Sequence, residues 1–212
     1  SNVDPQAVHN AISGVKPNEV FFIFNSKSFA TEEILTNLSL IKEWMKNNKM
    51  DLNDYSCAVT SFPEKAAFHG FKEANIFVVD KGVGGRFSLW SDFGLALVGS
   101  LGTNVYKELL LGAYSMDVHF LTEEFGSNLP YILGLTRIWN RNILEFPSLG
   151  IIPYGEGLKF FHTWVQQVEM ESNGKNIDTQ GILLRMPAAP TIFGSVGTDA
   201  QHSFFQALHQ GV

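Results

Sequence analysis

Val20-Phe21-Phe22-Ile23-Phe24, followed by Asn25-Ser26-Lys27-Ser28, decides the fold. Five consecutive apolar residues leave no polar face. Such a run reads as a strand covered on both sides, the usual condition of strands in parallel sheets. The polar quartet after it reads as a turn, and Ile34, Leu38, Ile41 and Met45 then recur at helical spacing. Further on, Ser56 to Thr60 reads as a second strand, Glu64 to His69 as a short helix and Ile76 to Val79 as a third strand. Upstream, Pro5 to Ile12 reads as a helix with Asp4 as N-cap and Pro5 at its first position. The β-α-β-α-β alternation predicts an α/β layered domain with a parallel sheet and right-handed crossovers.

From Leu89 to Leu144 the strand signals fade. Helical patterns replace them at Leu89 to Leu101, Val105 to Leu121 and Leu129 to Leu144, punctuated by Gly102 and by Gly126-Ser127-Asn128. A strand is expected at Ile151-Ile152, a helix from Leu158 to Val168, short strands at Ile182 to Leu184 and Thr191 to Phe193, and a helix from Ala200 to His209. The expected organisation is two partial α/β units joined by a helical block, with spans 1–96, 97–148 and 149–212.

The 212 residues are 45% hydrophobic and 17% charged, a globular composition able to bury a sizeable core. The net charge of −6 leaves no broad basic field for nucleic acid. Cys57 is the only cysteine, which rules out an intrachain disulfide and a cysteine metal cluster and fits a reducing cytoplasm. No apolar run approaches the ~20 residues a membrane helix needs, and the start of the sequence does not read as a signal peptide.

Four places could carry chemistry. Ser26, Ser28 and Thr31 fall between a buried strand and a helix start, where free N–H groups and the positive helix end favour an anion. Taken alone, N-capping is the simpler reading of those hydroxyls. Gly82-Val83-Gly84-Gly85-Arg86 follows the third strand; its glycines permit close backbone approach and Arg86 adds a fixed cation. A plain turn with a surface arginine fits equally well, and the spacing matches neither the dinucleotide fingerprint nor a P-loop. Glu171 stands where a helical pattern breaks into Ser172-Asn173-Gly174, with Gln167 four residues earlier on the same face. A carboxylate so placed can serve as a general base, or simply be solvated. His202 opens an aromatic-rich segment, Gln201-His202-Ser203-Phe204-Phe205, and no histidine pair has metal-ligand spacing.

Gly84-Gly85-Arg86-Phe87-Ser88, Met170-Glu171-Ser172-Asn173-Gly174-Lys175 and the segment around His202, in that order, resemble the phosphoglucose isomerase family. The resemblance continues through Ser26-Lys27-Ser28-Phe29, Met116 to Phe120, Ile152-Pro153-Tyr154 and Gly197 to Gly211. It implies sugar-isomerase α/β domains and interconversion of glucose 6-phosphate and fructose 6-phosphate, in glycolysis and gluconeogenesis. By the same resemblance, Ser26, Ser28, Thr31 and the Lys27 backbone would hold the sugar phosphate. Glu171 would be the base, Arg86 would stabilise an enediolate, and Gln167 would contact substrate near that charge. His202 would assist ring opening, reaching the site from the partner subunit of a homodimer. No metal or redox cofactor is implied, because the proton returns to the same molecule. The family's upstream Gly-Ile-Gly-Gly-Ser and downstream Gln-x-Gly-Val-Glu-x-x-Lys segments lie outside this sequence. It is therefore expected to be the middle of a longer enzyme, weak or inactive alone. Ser195-Val196, Asp199 and Asp92 depart from the family pattern. A non-catalytic sugar-phosphate-binding module is the alternative; it would keep the Ser26–Thr31 site without needing Glu171 or His202.

Overall fold

The computed structural model describes residues 2–211, so Ser1 and Val212, where the outer expected spans begin and end, lie outside the described residues. The chain divides into two compact units, Ser1–Leu111 and Gly112–Val212.

In the first unit, Asp4 caps α1 (Pro5–Ile12) by accepting from the Gln6 N–H at 3.0 Å, as the sequence predicts. Then come β1 (Phe22–Asn25), α2 (Glu32–Asn47), β2 (Ser56–Thr60), α3 (Pro63–Phe68) and β3 (Ile76–Val78). The three strands are parallel in the order β1-β2-β3, with Phe22 opposite Ser56 and Ala58 opposite Ile76. Leu38, Ile41 and Met45 from α2 meet Phe24, Phe29, Ala58, Ala66 and Phe71 in the core. Phe71 stands edge-on to both Phe24 and Phe29, with ring centroids 5.6 Å apart in each pair. The expected two-sided burial belongs to β2, every residue of which is buried. β1 starts two residues later than the apolar run, and Phe21 is 57% exposed. Burial follows position in the sheet: β2 has a partner strand on each side, β1 on one.

The helix expected from Leu89 begins six residues late. Gly85–Trp90 and Asp92–Gly94 wind as tight 3₁₀ turns before α4 (Leu95–Thr122), which is kinked at Gly102 with φ +83°. Serines cause the delay by bonding locally. Ser91 Oγ donates to the Ser88 carbonyl at 2.7 Å and accepts from the Phe93 N–H at 3.4 Å. The Tyr106 hydroxyl, 3.1 and 3.0 Å from the Leu89 and Ser91 carbonyls, ties these turns to α4.

In the second unit, α5 (Leu129–Ile138) is capped by Asn128, whose carbonyl oxygen accepts from the Tyr131 N–H. It runs into a π turn at Trp139–Ile143. β4 (Ser148–Ile151), α6 (Phe161–Val165), a second π turn (Gln166–Glu171), β5 (Thr191–Gly194), α7 (Gly197–Gln201) and α8 (Phe205–Gln210) follow. β4 and β5 pair in parallel, Leu149 opposite Ile192. Two expectations fail here. Ile182 to Leu184 is not a strand; it contributes one isolated antiparallel bridge, Ile177 with Leu183. The helix expected from Ala200 to His209 is broken at 202–204. The Phe204 ring packs edge-on against Phe193 of β5 at 5.3 Å, and that packing outweighs local helix propensity. Among the described residues no helix is long and apolar enough to cross a membrane.

Candidate active site

Parallel strands deliver their following turns to one edge of a sheet. In the first unit that edge carries the turn after β1 and the turn after β3. Ser26 is buried; its N–H donates to the Val59 carbonyl at 3.0 Å, and its Oγ accepts from the Phe29 N–H at 3.1 Å. The Lys27 carbonyl accepts from Ser61 N–H and Thr60 Oγ1, both at 3.0 Å, so the end of β2 braces the turn. Phe29 is held at φ +44°, a costly conformation for a residue with a side chain, and its ring is 1% exposed in the core. The turn is therefore rigid.

Among the described residues, no backbone bond uses the Lys27 or Ser28 N–H groups. Thr31 is the N-cap residue of α2, but its side chain makes no cap hydrogen bond. The simple capping reading is not what Thr31 does. Sequence reasoning passed over Ser61, a buried hydroxyl at the same edge with no partner among the described residues. Its only sequence signal is that it directly follows the second strand.

After β3, the Gly82 N–H donates to Asp80 Oδ1 at 2.7 Å and opens the glycine turn. Arg86 lies at the start of the first 3₁₀ turn, its guanidinium carbon 5.4 Å from the centroid of the Phe87 ring. Asn25, immediately before Ser26, donates from Nδ2 to the Phe93 carbonyl at 3.1 Å. That bond ties the second 3₁₀ turn, which follows the one bearing Arg86, to the end of β1. A Cβ at Gly85 would meet open space, so packing within the chain does not require glycine there.

In the second unit, Gln167 and Glu171 lie on the π turn that extends α6. Such wide turns are rare and recur at functional sites. Three tethers hold this one. Gln166 Nε2 donates to the Ile192 carbonyl at 2.9 Å, the Met170 sulfur accepts from the Ile192 N–H, and Glu169 faces Arg137 of α5. Residues 166, 169 and 170 point inward, which leaves Gln167 and Glu171 exposed on the other side. The helix continues two residues past Glu171. There the Lys175 ammonium binds the Glu171 and Ser172 carbonyls at 2.7 and 2.6 Å, neutralising the negative helix end. Gly174 donates to the Met170 carbonyl at 2.8 Å. His202 ends α7 rather than starting a helix: its N–H donates to the Asp199 carbonyl at 3.2 Å and its side chain is exposed. Of the departures from the family pattern, Val196 is the N-cap of α7 and Asp92 lies in the second 3₁₀ turn. Burial, reinforced by the Asp92 charge, raises the Tyr106 phenol pKa.

Comparison with known proteins settles the family. The family model described as phosphoglucose isomerase matches residues 1–212. The chain belongs to the phosphoglucose isomerase family. It is 42% identical to the glucose-6-phosphate isomerase of Chlorobium phaeobacteroides, with all of this chain and 38% of that protein covered. It is 38% identical to that of Wigglesworthia glossinidia brevipalpis, with all of this chain and 39% of that protein covered. The crystal structure of a glucose-6-phosphate isomerase from Chlamydia trachomatis superimposes with a TM-score of 0.91 at 35% identity, over all of this chain and 41% of that one. The parallel-sheet α/β architecture is thus the sugar-isomerase fold. The chain spans about two fifths of the length of the curated relatives it matches.

Proposed function

We propose that these residues form the central part of a cytoplasmic, homodimeric glucose-6-phosphate isomerase. Residues 1–96 would contribute to its first sugar-isomerase domain, 97–148 a helical connection and 149–212 part of its second. The observation that carries the reading is the hydroxyl turn on one sheet edge, braced by the Ser26–Phe29 bond, at the same edge as the glycine turn that leads to Arg86, in a chain of this family.

In this reading the sugar phosphate takes hydrogen bonds from Ser26, Ser28 and Thr31 hydroxyls and from the Lys27 and Ser28 N–H groups. Close approach of a ligand would explain a glycine at Gly85 that internal packing does not need. The Glu171 carboxylate removes the proton from C2 of the open-chain aldose. The released electron pair forms the C1–C2 double bond, and the carbonyl π electrons move to O1. Arg86 stabilises that oxyanion; a preorganised contact of this kind is worth about 3–4 kcal/mol. The O2 proton moves to O1, Glu171 returns its proton to C1, and C2 becomes the ketone. The exchange is internally balanced. Gln167, on the exposed face with Glu171, contacts the substrate near the enediolate. His202, supplied by the partner subunit, assists ring opening.

Glu171→Ala in the parent enzyme tests this. Proton exchange at C2, followed by NMR in deuterated water, is expected to fall by about 10²–10⁴-fold, while 6-phosphogluconate binding stays near the parent value. Near-normal exchange removes Glu171 from the role. Binding without turnover in the complete, unsubstituted enzyme would favour the non-catalytic module.

A further inference from the structure

Arg137 lies in the last turn of α5 and Arg141 follows one helical turn later, inside the Trp139–Ile143 π turn. Both line a cavity of about 260 Å³ together with Asn142, Glu169 and Asn173. Both also line a neighbouring cavity of about 150 Å³. The Arg137 side chain is only 21% exposed, and its Nη1 is buried with no partner among the described residues. Its Nη2 stands 3.9 Å from Glu169 Oε2, the outer limit of an ion pair. Arg141 donates from Nε to the Ala189 carbonyl at 3.2 Å and faces no carboxylate within ion-pair distance among the described residues.

Of the two guanidinium groups, only Arg137 therefore has a carboxylate beside it, at the limit of ion-pair distance, and Arg141 has none among the described residues. A buried guanidinium nitrogen without an acceptor is costly, and a second cation four residues away on the same face adds repulsion. Water could fill the space but would not neutralise the surplus charge. A tetrahedral oxyanion would do both, because its paired oxygens match the guanidinium fork.

We propose that Arg137 and Arg141 form a binding site for a small oxyanion of the phosphate class, separate from the Ser26–Thr31 turn. Its evidence is independent of the isomerase reading. Neither arginine belongs to the motifs that carry the family resemblance.

Isothermal titration of inorganic phosphate into the parent enzyme tests it. Two binding steps are expected. One is competed by 6-phosphogluconate and lost in Ser28→Ala/Thr31→Ala. The other is indifferent to both and weakens about tenfold or more in Arg141→Met, the loss expected for charge-assisted hydrogen bonds. Should Arg137→Met fail to fold, Arg141→Met carries the test, since its Nε bond is to one backbone carbonyl. A phosphate signal wholly competed by 6-phosphogluconate, or unchanged in Arg141→Met, overturns the proposal. So does a crystal structure of the parent enzyme in which another side chain fills the cavity. Loss of the competed step alone would count against the sugar-phosphate reading and leave this site standing.

Discussion

Gly174→Ala should damage catalysis without touching a catalytic group. A Cβ at Gly174 would lie 3.3 Å from the Met170 carbonyl carbon and closer to its oxygen than real Cβ atoms come. The obstacle is backbone, and Gly174 is already bonded to that oxygen at 2.8 Å, so no side chain can swing aside. The strain falls on the helix end between Met170 and Gly174, which includes Glu171. Overpacking of this kind costs about 1–3 kcal/mol of stability. Relief takes about 1 Å of movement, and misplacing a reacting group by about 1 Å can cost about 10²-fold in rate. Gly155→Ala is the control, because a Cβ there meets nothing within 4 Å and its φ is −95°. In a coupled assay converting fructose 6-phosphate to glucose 6-phosphate, Gly174→Ala in the parent enzyme should lose about one to two orders of magnitude in kcat, with KM changed far less. Gly155→Ala should match the parent. Equal kcat for both variants would refute the claim that this close approach positions Glu171.

Ser26→Ala leaves the buried Phe29 N–H without its acceptor, at a cost of about 1–3 kcal/mol; chemical denaturation should register that loss, and 6-phosphogluconate should bind more weakly as the turn loosens. Cys57 is buried in β2, and burial raises its thiol pKa. It should react with a thiol reagent at least about 10³-fold more slowly in the native state than in urea. Because the folded value is the higher one, the neutral thiol's contribution to stability is full below the ordinary thiol pKa and is lost as pH rises past it.

How far the sequence could be read depended on how local the cause was. The Asp4 cap, the α2 stripe and the extent of β2 follow from nearest-neighbour chemistry and periodicity, and each lies where the pattern puts it. The late start of α4 was hidden because it depends on Ser91 and on Tyr106, fifteen residues beyond Ser91. The break at His202 was hidden because the Phe204 ring answers to Phe193 on another element. The π turn bearing Gln167 and Glu171 has no sequence signature; its tethers reach Ile192 and Arg137, 26 and 32 residues from their partners. Residues four apart stay near one face at either 3.6 or about 4.4 residues per turn, so pairing Gln167 with Glu171 survives the change of helix type.

Sequence alone determined the parallel α/β class and the order of the elements in the first unit, and it singled out the residues proposed to bind an anion or move a proton. Those properties belong to short stretches of chain, where side-chain chemistry and periodicity act over a few residues. Tertiary structure decided which strand is fully covered, that Ser26 braces a strained turn instead of capping a helix, that Glu171 is presented by a π turn, and that Arg137 carries a buried nitrogen without a partner. Each depends on groups brought together from distant parts of the chain, and packing and hydrogen-bond satisfaction are set only when those groups meet.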